Sequence, residues 1–107
     1  MQTNCYIPKA DIDKVANVII EHIGKKSPIT AKSICNIVGF ETKANTLYCR
    51  QVLNEVSRTY DLPIIASHKG FYIAETHEEV QEYISFLDTT IKGMEERKAM
   101  ILEIFKR

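Results

Sequence analysis

The sequence has few glycines and prolines, the residues that interrupt helices and strands, and it has no long apolar run. Its 107 residues include 4 glycines and 3 prolines, too few for a disordered or fibrous protein. The longest apolar runs are only a few residues, as at Val18-Ile19-Ile20, so no membrane-spanning segment is predicted. The N-terminus lacks the basic start and apolar stretch of a secretory signal. We therefore expect one globular domain, with at most an appendage, in the cytoplasm.

Patterns typical of metal sites and catalytic centres are also missing. The three cysteines, Cys5, Cys35 and Cys49, are odd in number and have no C-x-x-C spacing, so we expect reduced thiols that pack as small apolar groups. The three histidines show no i, i+4 pairing. The sequence has no G-x-S-x-G, no glycine-rich phosphate loop and no H-E-x-x-H. We expect no metal, no cofactor and no enzymatic activity.

The chain has no excess of either charge, but the charges are unevenly distributed. Fourteen basic and fourteen acidic residues give a formal net charge of zero, which disfavours nucleic acid as a partner. Residues 1–74, however, carry nine Lys or Arg against six Asp or Glu, a net +3. Residues 75–107 carry five against eight, a net −3. The basic part of the chain is thus separate from an acidic tail.

Apolar spacing predicts a first helix over Ala10–Ile23. Its apolar residues recur at steps of three and four and form one face, namely Ile12, Val15, Ile19 and Ile23. Gly24 supplies a stop signal, and a connector follows it. Ile29 can add a short strand or bridge before Thr30 caps the next helix.

Two further helices are predicted before the first strand. The second covers Ala31–Val38 and ends at Gly39, where a left-handed residue is typical. After a turn over residues 40–44, Asn45 can cap a third helix from Thr46 to about Thr59. The apolar face of this helix is formed by Cys49, Val52, Leu53 and Val56. Its opposite face carries hydrogen-bond donors on Thr46, Arg50, Gln51, Asn54 and Arg58.

A β-hairpin is predicted over Leu62–Ala74. Two short runs rich in β-forming residues, Leu62–Ala66 and Phe71–Ala74, flank the tetrapeptide Ser67-His68-Lys69-Gly70. Gly70 suits a tight turn that requires positive φ. Because an isolated hairpin is marginal in water, it must pack on the three helices. The expected fold class is α+β, mainly α, with the element order of a winged helix-turn-helix domain over residues 1–75.

The tail, residues 76–107, is predicted to be one long helix. Thr76 and Glu79 have the spacing of a capping box. A heptad seam follows at alternating steps of four and three: Val80, Ile84, Leu87, Ile91, Met94, Lys98, Ile101 and Phe105. Homodimerisation through the seven apolar seam residues is expected. The alternatives are that the tail folds back on its own domain or that the helix breaks at Gly93. The Lys98 side chain can either extend to solvent or fix the register of the two paired helices.

The segment LPIIASHKGFYIAET, with Gly39 and the third helix before it and an acidic-capped helix after it, resembles winged helix-turn-helix proteins. These include the N-terminal DNA-binding domain of biotin-operon repressors, in which a Gly-Lys-Gly-Tyr-like element occupies the wing turn. His68-Lys69-Gly70-Phe71 stands there in this chain. Over about residues 29–100 the chain also looks like small winged-helix proteins of bacteriophages and prophages. In these proteins the hairpin leads into a Glu-rich helix that contains an I-x-G-hydrophobic sequence, and Ile91-Lys92-Gly93-Met94 fits that sequence here. The resemblance implies double-stranded DNA as partner. The connection over residues 40–45 is longer than in compact repressor motifs, so base contacts are not carried over.

Side-chain chemistry suggests which residues would contact DNA. Arg can bind guanine through two bonds, Asn or Gln can bind adenine, and Thr can contact phosphate or a thymine methyl group. Candidates on the third helix are Thr46, Arg50, Gln51 and Asn54. Candidates for the wing and the DNA backbone are Lys43, Arg58, Ser67, His68 and Lys69. Each is equally well explained as a solvated surface residue, since a neutral chain gives no general electrostatic support.

The sequence therefore predicts a dimeric winged-helix DNA-binding protein of phage or prophage origin. It would act as a transcriptional regulator or as an accessory factor in phage DNA metabolism. The alternative is a protein-interaction module, a phage inhibitor or adaptor, in which the same fold presents its third helix or wing to another protein. The zero net charge and the acidic tail support that alternative.

Overall fold

The computed structural model describes residues 6–40 and 46–107, and these form an α+β structure that is mainly helical. The helices are α1 (Lys9–Ile19), α2 (Ala31–Val38), α3 (Leu47–Tyr60) and α4 (His77–Lys106), and the strands are β1 (Ile64–Ser67) and β2 (Gly70–Ile73). The chain divides into two compact units, Met1–Thr76 and His77–Arg107, which we call the head and the tail. The predicted fold class is confirmed at the level of α+β, mainly α.

The helix α1 is shorter than the sequence predicts. Its apolar face is buried as expected at Ile12, Val15 and Ile19. The helix ends at Ile19, however, because the next residues pair with the hairpin: the Gly24 N–H donates to the Ile73 carbonyl at 2.8 Å. Ile23 forms a parallel bridge with Ile73 and is half exposed. The prediction of helix through Ile23 was wrong, since strand pairing satisfies this backbone instead.

The helix α2 has the predicted bounds and the predicted signals at both ends. The Thr30 hydroxyl oxygen accepts a bond from the Ser33 N–H at 3.1 Å, which satisfies a free donor of the first turn. Gly39 has φ of +90°, and its N–H donates to the Cys35 carbonyl at 2.8 Å. The helix is thus held at both ends by local sequence.

The helix α3 packs its apolar face into the core of the head. Cys49, Val52, Leu53 and Val56 are all buried, as predicted. The chain reverses at Asp61, which has φ of +55° and caps the helix. Thr46, predicted as the first helical residue, lies one position before the helix. The predicted cap, Asn45, lies outside the described residues.

The strand β2 is held by backbone pairing on both of its edges. The strands β1 and β2 are antiparallel, with Ser67 opposite Gly70. On the outer edge of β2, Ile29 and Phe71 exchange two hydrogen bonds, of 2.9 Å and 2.7 Å. The bridge predicted at Ile29 is therefore confirmed. The side chains of Ile64, Phe71 and Ile73 pack on the helical core. The hairpin is stable because helices and an added bridge support it.

The tail is a single helix of 30 residues, and it continues through Gly93. It begins directly after Thr76, where the sequence predicts a helix start. The predicted alternative of a break at Gly93 is excluded. At 1.5 Å per residue the helix is about 45 Å long.

Two cysteines meet in the core of the head. Cys35 on α2 and Cys49 on α3 are both fully buried free thiols, as expected from the sequence. Burial, reinforced by the adjacent Cys35 thiol, raises the pKa of the Cys49 thiol to about 12. An unfolded cysteine has a pKa of about 8.5. The folded state therefore holds the Cys49 proton over a pH range in which the unfolded state releases it.

We expect the free energy of unfolding to fall at alkaline pH because of Cys49. Its contribution is complete below about pH 8.5 and is lost as the pH rises towards 12, because the unfolded thiol ionises first. Between pH 8.5 and 10.5 the loss is about 2 kcal/mol. Urea unfolding of the wild type and of Cys49→Ala across this range measures it. Equal pH dependence in the two proteins would show that Cys49 does not titrate as stated.

Candidate functional site

The exposed face of α3 carries three of the predicted contact residues. Arg50 and Asn54 are one helical turn apart and both exposed, and Gln51 is half-buried. Arg50 makes no ion pair with another described residue. Together these side chains supply charged and amide hydrogen-bond donors on one surface of the head.

Two other α3 candidates are less available for binding. The Arg58 guanidinium is exposed but bonded to the Glu55 carboxylate at 2.8 Å, an i, i+3 pair. Thr46 is half-buried at the start of the helix. Lys43, a predicted backbone contact, lies outside the described residues. Arg50, Gln51 and Asn54 are therefore the strongest candidates on this helix.

The hairpin loop presents its basic residues to solvent. His68 and Lys69 form the two-residue loop between β1 and β2, and both are exposed. Ser67 has another role, because its hydroxyl donates to the Gly70 carbonyl at 2.9 Å and accepts from the Lys69 N–H at 3.3 Å. Ser67 thus closes the turn, and His68 and Lys69 remain as candidate contacts.

The structure brings the two groups of candidates into one unit. The strand β1 packs against α3, so the loop and the exposed face of α3 belong to elements that are in direct contact. The helix α2 also packs on α3 and adds Lys32, an exposed basic residue in its first turn. Sequence reasoning missed Lys32, although a basic residue just after the Thr30 cap was a signal that could have indicated it.

A second feature of the head was not predicted. The Tyr60 hydroxyl donates to the Asp13 carboxylate, and the Lys9 ammonium lies 3.2 Å from the same carboxylate. These bonds, first from Tyr60 and then from Lys9, lower the pKa of Asp13. Tyr48 packs against the core of the head, and its hydroxyl donates to the Asp11 carboxylate at 2.5 Å. The Tyr60–Asp13 contact joins residues 47 positions apart, and no local pattern reveals it.

The predicted dimerisation residues lie along the tail helix. Ile84, Leu87, Ile91, Met94, Ile101 and Phe105 are between 38% and 87% exposed in the single chain. Val80 is half-buried. A row of exposed apolar side chains this long is typical of an interaction surface. Lys98 interrupts this row, and its ammonium group lies 4.0 Å from the Glu95 carboxylate, with both side chains exposed.

Within residues 6–40 and 46–107, no group of three or more His, Cys, Asp or Glu side chains is placed to hold a metal ion. Across the same residues, no helix is long and apolar enough to cross a membrane. Comparison with known proteins gives no match to a family model, to a curated protein or to a solved structure. The proposal for this site therefore depends on its residues alone.

Proposed function

We propose that this protein is a dimeric winged-helix DNA-binding protein, with the head as the DNA-contacting unit and the tail helix as the dimerisation element. The observation that carries the proposal is the exposed donor face of α3, Arg50 and Asn54 with Gln51 beside them, in a head whose hairpin loop presents Lys69. An α-helix with such donors fits the major groove, and a basic loop fits phosphates or the minor groove. The element order is compatible with a winged helix.

Dimerisation compensates for the weak electrostatic attraction between a neutral protomer and DNA. A protomer with a net charge of zero gains little from counterion release, so a single head should bind DNA weakly. Two heads joined through their tails engage two half-sites, and the second contact is then intramolecular. In this proposal the protein regulates transcription or assists DNA metabolism in a phage or prophage.

Charge reversal of one residue on each element tests the proposal. We expect Arg50→Glu with Lys69→Glu to weaken binding to a labelled mixed-sequence duplex by about 10- to 100-fold, since one base-edge donor and one phosphate contact become repulsive. Fluorescence anisotropy at low and moderate salt measures the affinity and its salt dependence.

The matched control is Lys14→Glu with Lys92→Glu, which changes the net charge by the same amount at exposed residues outside the proposed surface. It should bind within about threefold of the wild type at the same salt. Equal losses in both double variants would show that only net charge matters. No binding of the wild type to any duplex at low salt would overturn the proposed function.

A second function is supported by the zero net charge and by the acidic tail, with a net −3 over residues 75–107. In that case the same surface binds another protein, as an inhibitor or adaptor would. The Arg50→Glu, Lys69→Glu variant distinguishes the two functions. Loss of DNA binding with an intact dimer favours the first, and loss of a captured protein partner with no duplex binding favours the second.

A further inference from the structure

The side chains of the tail helix indicate whether two paired copies run parallel or antiparallel. This step rests on the proposed function, because it takes pairing through α4 as its premise. The helix is uninterrupted over 30 residues, so the heptad assignment continues from end to end. Ile84, Ile91, Lys98 and Phe105 take position a, and Val80, Leu87, Met94 and Ile101 take position d. The seam contains one charged residue, Lys98, and orientation depends on where that lysine is placed.

Lys98 lies in a surface depression lined by Met94, Arg97, Lys98, Ile101 and Leu102. The first four of these residues are spaced i, i+3, i+4 and i+7. Four residues at this spacing form the hole that accepts a side chain from the facing helix in a coiled coil. The depression already contains two cations, Arg97 and Lys98. Its occupant should therefore be apolar or acidic.

A parallel pair in register fails this requirement. Identical positions face each other across the two-fold axis of such a pair, so Lys98 of the second copy would enter the depression. Three cations would then share one hole. Parallel pairing also places Arg97 of one copy beside Lys98 of the other.

An antiparallel pair satisfies the requirement without leaving any seam residue unmatched. In one register every position a meets a position d of the second copy: Val80 faces Phe105, Ile84 faces Ile101, Leu87 faces Lys98 and Ile91 faces Met94. The occupant of the depression at Lys98 is then Leu87. A shift by one heptad in either direction leaves two seam residues of each copy without a seam partner, so less apolar surface is buried.

Charge favours the same arrangement. Asp88 follows Leu87 and therefore reaches Lys98 of the second copy along with it. Glu95 lies 4.0 Å from Lys98 within its own helix. The Lys98 ammonium thus stands between a carboxylate from each copy, and its alkyl chain covers Leu87. Antiparallel pairing adds a carboxylate, Asp88, to a depression that already holds Arg97 and Lys98, whereas parallel pairing adds a third cation.

We propose that α4 pairs with α4 of a second copy as an antiparallel two-stranded coiled coil, in which Leu87 of each copy fills the hole at Lys98 of the other and Asp88 pairs with that lysine. The two heads then attach at opposite ends of the pair. Their first α4 residues are about 45 Å apart along the rod.

Distance measurements between labels test the orientation in the full chain. In a Cys5→Ser background, in which the two buried thiols are inaccessible, single spin labels are placed at Glu82→Cys or at Glu103→Cys. Both positions are exposed and lie opposite the seam, so they are matched sites. We expect same-site pairs about 30 Å or more apart, and pairs mixed between the two sites within about 20 Å.

The opposite pattern, short same-site distances and long mixed distances in a dimer, would overturn the antiparallel arrangement and leave the proposed function intact. A monomeric mass by light scattering at micromolar concentration would overturn both this inference and the pairing on which it rests. The two failures are therefore distinguishable.

Charge exchange at the proposed contact gives an independent test. We expect Lys98→Glu to raise the dimer dissociation constant about tenfold, because it faces Asp88 of the second copy and the contact occurs twice per dimer. Adding Asp88→Lys to the same chain should restore the wild-type constant. In a parallel pair these residues lie about 15 Å apart along the axis, and no rescue would occur. Absence of rescue in a stable dimer would overturn the contact.

Discussion

Replacing Gly70 by alanine is expected to lower the free energy of unfolding of the head by about 3 kcal/mol. Gly70 has φ of +132°, and a Cβ there would lie 2.6 Å from both the carbonyl carbon and the oxygen of Ile29. These are backbone atoms held by the Ile29–Phe71 bonds, so they cannot move without breaking the bridge. Urea unfolding measures the loss, and faster hydrogen exchange at the Ile29 and Phe71 amides locates it.

Two other glycines serve as controls that separate backbone strain from steric clash. Gly39 has φ of +90° but open space around its Cβ position, so Gly39→Ala should lower the stability by only about 1 kcal/mol. Gly93 lies in α4, also with open space, and alanine there should stabilise the helix by up to about 1 kcal/mol. Equal losses at Gly70 and Gly39 would show that the close approach of Ile29 contributes nothing.

Gly70 also shows how far a sequence can explain a position. The pattern around Ser67-His68-Lys69-Gly70 predicts a turn that needs positive φ, and this part is local. The approach of Ile29 from 41 positions earlier adds a second reason for glycine, and no local pattern contains it. The prediction of a bridge near Ile29 was correct, but it did not say which hairpin residue the bridge would constrain.

One element with signals inside its own segment was predicted to the residue, whereas the strand bounds of the hairpin were wrong by one or two residues, because Ser67 and Gly70 pair as strand residues. The helix α2 has its cap at Thr30 and its left-handed end at Gly39, and both act within one turn of the helix. The end of α1 was misjudged because Ile23 continues the helical spacing, while its backbone neighbours bond to Ile73 in the hairpin. Apolar periodicity reports only which residues share one face of a helix. It does not report whether the same backbone pairs instead with a strand 50 residues later in the chain.

The sequence could predict which residues of the candidate site are exposed, but it could not predict how the elements that carry them are placed relative to one another. Helical spacing correctly placed Arg50 and Asn54 opposite the buried face of α3. The same spacing could have indicated that Glu55 would bind Arg58, since i, i+3 pairs meet on a helix. The sequence predicted that the hairpin packs on the helices, but neither segment indicated that β1 would contact α3.

The second large effect is expected in the tail, where Ile91→Asp should raise the dimer dissociation constant about a thousandfold. Ile91 is 56% exposed in the single chain and lies at the middle of the seam. In the proposed pair, each copy would bury a new carboxylate against Met94, with no cation opposite it. Sedimentation over a range of concentrations measures the constant, and circular dichroism checks that the helix is retained.

Thr89→Asp is the matched control, because Thr89 is exposed, lies outside the seam and acquires the same charge. It should leave the dimer intact. For DNA, Ile91→Asp should lower affinity for a duplex with two half-sites by about a hundredfold and leave affinity for a single half-site unchanged, since only the intramolecular second contact is lost. A monomeric variant that binds both duplexes like the wild type would show that the heads act independently. An unchanged dimer mass would show that the pair forms through another surface.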